Sequence, residues 1–518
     1  MLIMEKLYNN IILPDDFASA PSDPENVPYL KNPPEVISVS VGRQLFVDDF
    51  LIDRSDLTPV YHDAVKFDGN PVLKPETRWE RDGAGPAACP KSGGVWYDAK
   101  EKLFKMWYEA GWLDQMCYAY SHDGIEWIRP DLGDRTNRIL KYERRPNGIC
   151  NFDPPESPMY LRPDSTTFWI DDNDPDTSRR YKMFLRNPGD FMPGIIGSSP
   201  DGIHWENLTF TSGVFDRSTM FYNPFRKKWI YSIRSMWSAR SRQYHECDDL
   251  FEGADWDPKK APGWLAADKL DLPDPYIRME PQLYNVDAVG YESIMLGMFQ
   301  IFYGPENNFC GDRGIPKNTG LIPMYSRDGY NFSRPSRRTF IGSSMYRGAW
   351  DRGYVQSVGG VTIIHGDELW IYYTAFAGDE RYSRLNYRNL HDMESGMYMN
   401  GATGIAKLRR DGFVSLEGKG RIETRVLEIN DTKRSLHLNA VGNVRVTILT
   451  PDGESLASVN FDGDSTNARL GFSEHDIMSL IGKTFRLRFD VDGALYSFGF
   501  ADENGDFGGA GAAGVVGR

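Results

Sequence analysis

The sequence predicts an all-β protein, a five-bladed β-propeller followed by a β-sandwich domain. Two observations predict it: a phrase built around Asp-Gly recurs along most of the chain, and paired aromatic-rich runs precede the copies. Helical periodicity is absent over any useful length, whereas short strands joined by turn residues are frequent. A unit that returns at intervals of roughly 50 to 80 residues is typical of propeller blades with their loops.

The recurring phrase is interpreted as a hairpin turn. It reads SHDGIEW at 121–127, SSPDGIHW at 198–205 and YSRDGYNF at 325–332, with looser copies in ECDDLFEGADW and LRRDGFVSL. Glycine supplies the positive φ of a tight turn, and the aspartate side chain accepts hydrogen bonds from N–H groups of the turn. The five markers are therefore predicted to form turns and to take no part in catalysis: Asp123, Asp201, Asp249, Asp328 and Asp411.

The rest of the sequence suggests domain boundaries. We predict an extended N-terminal arm over 1–38, the propeller over 39–416, the β-sandwich over 417–505 and a flexible Gly/Ala-rich tail over 506–518. In FRLRFDV, apolar and polar residues alternate as they do in a half-buried strand. The stretch QLFVDDFLID (44–53) is predicted to be a strand that either closes the ring beside the last blade or precedes the first blade.

Composition argues against several classes of function. The net charge is −14 and no basic block occurs, which argues against nucleic acid and anionic membranes as partners. The first residues lack the basic and apolar regions of a signal peptide, and the five cysteines show no CxxC spacing, so we expect a cytoplasmic protein with reduced thiols. The eight histidines show no zinc spacing, so neither a metal nor another cofactor is expected. Homo-oligomerisation is left open.

Acidic residues open the predicted blades. Reading back from each hairpin to the start of its blade finds one acid each time: Asp82, Asp164, Asp216, Glu280 and Asp351. An arginine lies within two residues of each: Arg81, Arg162, Arg217, Arg278 and Arg352. Residues that open equivalent strands of a ring share one end, so these carboxylates are predicted to converge on an axial funnel. For any single pair, the alternative is that it caps a loop at the rim.

Glycoside cleavage requires paired carboxyl groups, one to protonate the leaving oxygen and one to act as nucleophile or base. The five acids are therefore the predicted catalytic set, with an oligosaccharide or glycoside as substrate. Aromatic and basic residues near the predicted mouth are the candidate substrate-binding residues: Trp79, Arg81, Arg217, Arg234, Trp350, Arg352 and Tyr354. Arg234 and Arg242, on the later strands of blade three, are placed to reach a substrate carboxylate or hydroxyl. The alternatives are interblade packing for the aromatic residues and salt bridges with the blade's own acids for these two arginines.

GRQLFVDDFLI, the SxDGxxW hairpins, LWIYYTAF and LRRDGFVSL resemble the glycoside hydrolases of family 32, and family 43 shares the propeller. The resemblance implies exo-wise release of furanosyl or related residues by acids in the axial funnel. The family 32 phrases WMNDPNG and RDP are absent here, whereas its Glu-Cys pair appears as Glu246-Cys247. The resemblance therefore implies Glu246 as an alternative catalytic acid, although its position in the repeat predicts a turn.

Two other functions remain open. The Asp-Gly-x-x-Trp hairpins are similar to the Asp-boxes of sialidases, but five blades and the lack of a clear arginine triad argue against a sialidase. A non-catalytic carbohydrate-binding propeller could use the same residues in its funnel.

Overall fold

A computed structural model shows a chain built almost entirely from β-structure, with 45% of residues in strands and 7% in helices. It describes residues 4–140, 142–144, 150–152, 164–186, 192–391 and 394–517. Five antiparallel sheets follow one another as blades, and the predicted five-bladed propeller is thereby confirmed. Within these ranges, no helix has the length and hydropathy needed to cross a membrane.

The first three blades each run outward from the axis in chain order. Blade 1 consists of Ala88–Cys89 and Val95–Asp98 at the axis, then Leu103–Ala110, Gln115–Ser121 and Arg138–Leu140. Blade 2 consists of Thr166–Ile170, Tyr181–Leu185, Met192–Ser199 and Glu206–Val214. Blade 3 consists of Thr219–Asn223, Lys228–Ser235, Ser241–Cys247 and Gly263–Ala266.

The last two blades are completed by chain from elsewhere. Blade 4 consists of Gln282–Glu292, Ile294–Gly304, Asn318–Ser326 and Ile341–Gly342, with Ala510–Gly511 added at its inner edge. Blade 5 consists of Gly353–Ser357 and Ile363–His365 at the axis, then Glu368–Phe376, Gly401–Arg409 and the N-terminal strand Val65–Lys66. The N-terminal part of the chain thus closes the ring at blade 5.

The second domain is a seven-stranded sheet, compatible with the predicted sandwich. Its long strands are Val414–Thr424, Ser435–Leu449, Ser455–Arg469 and Arg486–Ala501. Three short strands from before the propeller complete it: Gln44–Leu45, Ile52–Ser55 and Thr58–Tyr61. The predicted location of 44–53 at the ring is therefore wrong, as is the predicted boundary at residue 39, because these residues find backbone partners in the second sheet.

Helical segments are short and lie in the connections. The four α-helical turns are Pro28–Lys31, Arg78–Arg81, Asn307–Arg313 and Glu474–Met478. The N-terminal arm also contains a small hairpin of Glu5–Lys6 and Ile12–Leu13, and its strand Ile37–Ser38 pairs with Leu427–Glu428. Buried arm residues such as Leu7, Leu13 and Tyr29 belong to the core of the second domain.

The C-terminal residues are paired with the propeller, so the predicted flexible tail is wrong. Ala510–Gly511 pairs with blade 4, and Val515–Val516 runs parallel to Ile363–His365 of blade 5. The small residues serve close packing: a Cβ at Gly514, where φ is +124°, would lie 2.4 Å from the carbonyl oxygen of Tyr97. The Gly/Ala composition here reflects tight contact between backbones rather than freedom of motion.

The Asp-Gly phrases form the predicted turns. Asp123 Oδ1 accepts hydrogen bonds from the backbone N–H groups of Ile125 (2.8 Å) and Glu126 (2.9 Å), and Gly124 has φ of +78°. Asp201, Asp249 and Asp328 accept the equivalent pair of bonds in their own turns. Asp411 differs, because its carboxylate is buried against Arg43 at the junction with the second domain.

Replacing the turn aspartates should lower stability according to their burial. Asp328 is buried and also accepts from Asn331 Nδ2 (2.8 Å), whereas Asp123 is exposed. We expect Asp123→Ala to cost about 1 kcal/mol and Asp328→Ala about 3 kcal/mol, because only the latter leaves buried N–H groups without an acceptor. Urea denaturation measures both. Equal losses of stability in the two variants would contradict the dependence on burial.

Deleting residues 509–518 should destabilise the protein. The deletion removes the strands paired with blades 4 and 5 and the buried residue Ala513. The lost backbone pairing and apolar contact should lower the free energy of unfolding by about 3 kcal/mol. Calorimetry measures the change, with removal of 517–518 as the control. An unchanged unfolding temperature would show that these residues do not contribute to stability, and it would support the predicted flexible tail.

Candidate functional site

The five innermost strands begin at one end of the propeller, called here the mouth. Because strands in a blade are antiparallel, the hairpins that join the second and third strands lie at the mouth as well. The mouth is therefore built from two kinds of segment, the residues that open each blade and the residues of these hairpins. The Asp-Gly turns lie at the opposite end, since they join third and fourth strands.

Two carboxyl groups meet at the axis on either side of one lysine. Glu109 lies near the end of the second strand of blade 1, and Asp164 precedes the first strand of blade 2. Lys91 Nζ lies 2.7 Å from Glu109 Oε2 and 3.0 Å from Asp164 Oδ1. The two oxygens are therefore less than about 6 Å apart. The Glu109 side chain is 2% exposed and that of Asp164 is 13% exposed.

The pKa values of the two carboxyl groups are shifted in opposite directions. Burial raises the pKa of Glu109 to about 7, and the negative charge of Asp164 adds to this rise against the attraction of Lys91. Burial alone would also raise the pKa of Asp164, but Arg217, Lys91 and Arg186 hold it well below its usual range. Arg217 Nη2 lies 2.7 Å and Arg186 Nη1 3.0 Å from Asp164. Near neutral pH, one group thus carries a proton while its neighbour is ionised.

Aromatic side chains line the cluster on the side of blades 4 and 5. Trp112 stacks on Tyr398 with ring centres 4.3 Å apart, and Lys91 Nζ lies 3.8 Å from the Trp112 ring centre. Tyr354 lies between Phe376 and Arg217, whose Cζ is 5.7 Å from its ring centre. These rings are buried and pack on one another and beside Lys91 and Arg217, so they form the wall around the carboxyl pair.

The floor of the cluster is a polar network that crosses the axis. Asn285 Nδ2 donates to Asp287 Oδ2 (2.8 Å) and to Ser92 Oγ (3.0 Å), and Gln356 Nε2 also donates to Ser92 Oγ (3.1 Å). These bonds join blades 1, 4 and 5. Burial raises the pKa of Asp287 to about 6, although hydrogen bonds from Ser357 and Ser92 oppose the rise. The funnel is therefore closed below Glu109 and Asp164.

Only part of the predicted catalytic set lies at the axis. Asp164 does, and Asp216 lies beside it in an ion pair with Arg234. Asp82 is half exposed and pairs with Arg78 (3.7 Å), and Glu280 is exposed. Asp351 is buried at the outer edge of blade 5, 2.6 Å from Lys66 Nζ. The predicted convergence of these three is wrong, because a position before a strand fixes its end of the ring but not the direction of its side chain.

Glu246 does not reach the mouth, and its role as the alternative catalytic acid stays a prediction. It lies on the third strand of blade 3, where Tyr244 Oη donates to it (2.7 Å) and Arg226 pairs with it through two nitrogens. Arg226 belongs to the hairpin between the first and second strands, at the opposite end of the blade. The Glu-Cys phrase therefore marks a structural ion pair.

Of the predicted substrate-binding residues, some reach the axis and others do not. Arg217 and Tyr354 reach the axial cluster, and Arg234 lies at its edge through Asp216. Arg352 pairs with Glu380 (2.8 Å) on a mouth loop of blade 5. The other three lie away from the axis, and Arg162 falls outside the described residues.

Local packing accounts for those three side chains. Trp79 Nε1 donates to Asn137 Oδ1 (2.9 Å) beside the outer strand of blade 1, and Arg81 is exposed on its short helix. Trp350 packs on Tyr373, with ring centres 5.5 Å apart. These three side chains therefore do not reach the axial cluster, and their role in substrate binding stays a prediction.

Sequence reasoning missed several axial residues: Lys91, Glu109, Asp287 and Lys317. A signal was present, because Glu109 in LFKMWYEA and Asp287 in YNVDAVG are acids inside otherwise apolar strands. Such residues need a polar partner or a function. Among the described residues, no group of three or more His, Cys, Asp or Glu side chains could hold a metal ion.

No protein-family model and no curated protein matches the sequence. Solved structures with a similar fold include an N-acetylgalactosamine deacetylase from F. plautii, with 12% identity, a TM-score of 0.43 and coverage of 69% of this chain and 96% of that one. A family 32 β-fructofuranosidase from Bombyx mori has 11% identity, a TM-score of 0.35 and coverages of 85% and 93%. A family 43 α-L-arabinofuranosidase from Clostridium thermocellum has 14% identity, a TM-score of 0.31 and coverages of 50% and 74%.

Glu109 should impose a pH dependence on stability. Its pKa is higher in the folded protein than in the unfolded chain, so its favourable contribution is complete below about pH 4.5 and is lost as pH rises through about 7. Between pH 5 and pH 8, Glu109→Gln should therefore lose less stability than the wild type, by about 2 kcal/mol. Urea denaturation at both pH values measures this, with Glu280→Gln at an exposed position as the control. Parallel losses in all three proteins would contradict the raised pKa.

Proposed function

We propose that the chain is a glycoside hydrolase whose active site is the axial funnel. The observation that carries the proposal is the pair formed by Glu109 and Asp164. One has a raised pKa, the other is ionised, and their oxygens are less than about 6 Å apart. Hydrolysis of a glycosidic bond requires such a pair, and an isolated binding site for a neutral sugar does not.

In the proposed reaction, Glu109 donates its proton to the glycosidic oxygen as the bond to the anomeric carbon breaks. The ionised Asp164 lies where positive charge develops on the sugar and attacks the anomeric carbon. Carboxyl groups about 5 to 5.5 Å apart are typical of retaining enzymes, so the short separation favours a covalent intermediate on Asp164. Glu109, now ionised, then takes a proton from the water that releases the sugar.

Lys91 is proposed to position both carboxyl groups. Its ammonium is 2% exposed and contacts each of them, so it fixes their separation. It also opposes the effect of burial on Glu109, which keeps the pKa of that acid near neutral rather than higher still. An acid of this strength can hold a proton at neutral pH and still release it to the leaving oxygen.

The closed floor supports exo action. Ser92, Asn285 and Gln356 join three blades below the carboxyl pair, so a glycan can enter only by its end. A furanosyl ring is proposed from the family resemblance, and paired furanoside and pyranoside substrates test it. Cytoplasmic localisation is also proposed, supported by buried free thiols at Cys89, Cys117 and Cys310. Recovery of the native protein in a secreted fraction would contradict it.

Replacing either carboxyl group should abolish turnover. Glu109→Gln and Asp164→Asn should each reduce kcat by a factor of about 10³ or more on a hydrolysable glycoside. Glu246→Gln changes the Glu-Cys position at the opposite end and should leave kcat unchanged. Turnover by the wild type should fall as pH rises above about 7, where Glu109 loses its proton.

A panel of oligosaccharides and aryl glycosides, followed by product analysis, measures these effects. Glu109→Gln with an aryl glycoside whose leaving group has a low pKa provides a further check. Loss of that leaving group needs little acid assistance and should be spared, so a burst of released phenol should precede slow turnover, because Glu109 is still needed as the base of the second step. Full activity of both Glu109→Gln and Asp164→Asn would show that the catalytic groups lie elsewhere. Binding without product from any substrate would instead identify a carbohydrate-binding propeller.

A further inference from the structure

Among the described residues, the axial cluster holds more cations than carboxyl groups, although the chain as a whole has a net charge of −14. In these parts of the chain, six cations surround the cluster: Lys91, Arg186, Arg217, Arg234, Arg242 and Lys317. Four carboxyl groups accompany them: Glu109, Asp164, Asp216 and Asp287. Two of these carboxyl groups have raised pKa values, so the local charge near neutral pH is more positive than the count alone indicates.

In the axial cluster, Arg217 and Arg242 are buried and each has two guanidinium nitrogens without an acceptor among the described residues. Arg217 is 3% exposed; its Nη2 bonds to Asp164, but its Nε and Nη1 have no acceptor in the part of the chain described. Arg242 is fully buried; its Nη2 donates to the carbonyl oxygen of Tyr284 (2.6 Å), while its Nε and Nη1 have no acceptor there. Buried charged donors of this kind are costly unless an acceptor completes them.

The two arginines act on the same region. Arg242 donates to the backbone of Tyr284, and Arg217 lies over Tyr354, which packs edge-on against Tyr284 with ring centres 5.6 Å apart. Burial lowers the pKa of Arg242 to about 9, and the positive charge of Arg234 adds to this, despite Asp216 and Asp287 nearby. Water could accept the free N–H groups but would leave the charge uncompensated.

We infer that the substrate carries an oxyanion, which binds between Arg217 and Arg242. The inference rests on the proposed function and names the class of substrate: a sugar bearing a carboxylate, or a sugar bearing a sulfate or phosphate ester. A guanidinium group presents parallel N–H donors that match the oxygens of such groups. Because Arg217 also holds Asp164, an anion bound to it lies next to the carboxyl pair and orients the sugar toward Asp164.

Calorimetric titration of the full chain tests this. The ligands are methyl β-glucuronide, the methyl galacturonides, glucose 6-sulfate and glucose 6-phosphate, with methyl glucosides as the neutral control. We expect at least one anionic sugar to bind about tenfold or more tightly than its neutral counterpart. Preference for the uronides identifies a carboxylate, and preference for the esters identifies a sulfate or phosphate. Equal affinity for charged and neutral sugars overturns the inference.

Arg242→Met is the decisive variant. Arg242 forms no direct ion pair among the described residues, although its charge lowers the pKa of the buried Asp287. The variant should therefore fold with an unfolding temperature close to that of the wild type, and its affinity for the anionic sugar should fall about tenfold or more. Arg421→Met changes the charge equally on the exposed surface of the second domain and should bind as the wild type does. Unchanged anion binding by folded Arg242→Met overturns the inference.

The experiment also separates this inference from the proposed function. Anion binding that depends on Arg242, without hydrolysis of any glycoside, would retain the oxyanion site and reject the hydrolase. Hydrolysis that depends on Glu109, restricted to neutral glycosides and without anion binding, would retain the hydrolase and reject the oxyanion site.

Discussion

The propeller depends on closure of its ring by a strand from the other end of the chain. Val65–Lys66 forms the outer strand of blade 5 by pairing with Gly401–Arg409. Asn70 strengthens this closure, because its side chain exchanges two hydrogen bonds of 2.8 Å with the backbone of Ile405. Closure ties the last blade to the start of the chain and fixes the angle of every blade about the axis, and it leaves a two-residue strand as the outer edge of blade 5. Without it, the strand openings would not face one another.

The second domain is held to this ring by a buried charge. Asp411 Oδ2 lies 2.6 Å from Arg43 Nη2, and both side chains are almost fully buried. The same carboxylate accepts hydrogen bonds from Tyr291 of blade 4 and from Ser497 of the second domain. Breaking a buried pair leaves an unsatisfied charge, so four separate parts of the chain are constrained together at this point. The N-terminal arm and the C-terminal residues add backbone pairing to the same body.

At the mouth, closure of the ring brings together functional groups that no single blade contains. Glu109 comes from blade 1 and Asp164 from the start of blade 2, and Lys91 holds them less than about 6 Å apart. Their burial weakens the screening by water, so the same surroundings shift their pKa values in opposite directions. The uncompensated charge of Arg242 follows from the same burial. The structure stores polar groups at its axis that only a ligand of complementary charge can complete.

The sequence alone determined the features that depend on near neighbours. The Asp-Gly turns, the five hairpins and the change of pattern after the propeller are local, because each turn is stabilised by bonds within three residues. The placement of Asp164 at a strand opening was also predictable. Tertiary structure decided the partner of each strand end, and therefore the pairing of 44–61 and of 510–516.

Tertiary structure also decided which acids meet. A residue that opens a strand is fixed at one end of the ring, but its side chain turns inward or outward according to its neighbours, as Asp164 and Asp351 show. Glu109 belongs to the site, although it lies in a hairpin to which the repeat pattern assigned only a structural role. Its pKa depends on burial, on Lys91 of the same blade, and on Asp164 and Arg217, which lie more than 50 residues later in the sequence. Such a group is recognised only once the ring is closed, because the distances that give it its chemistry do not exist in the unfolded chain.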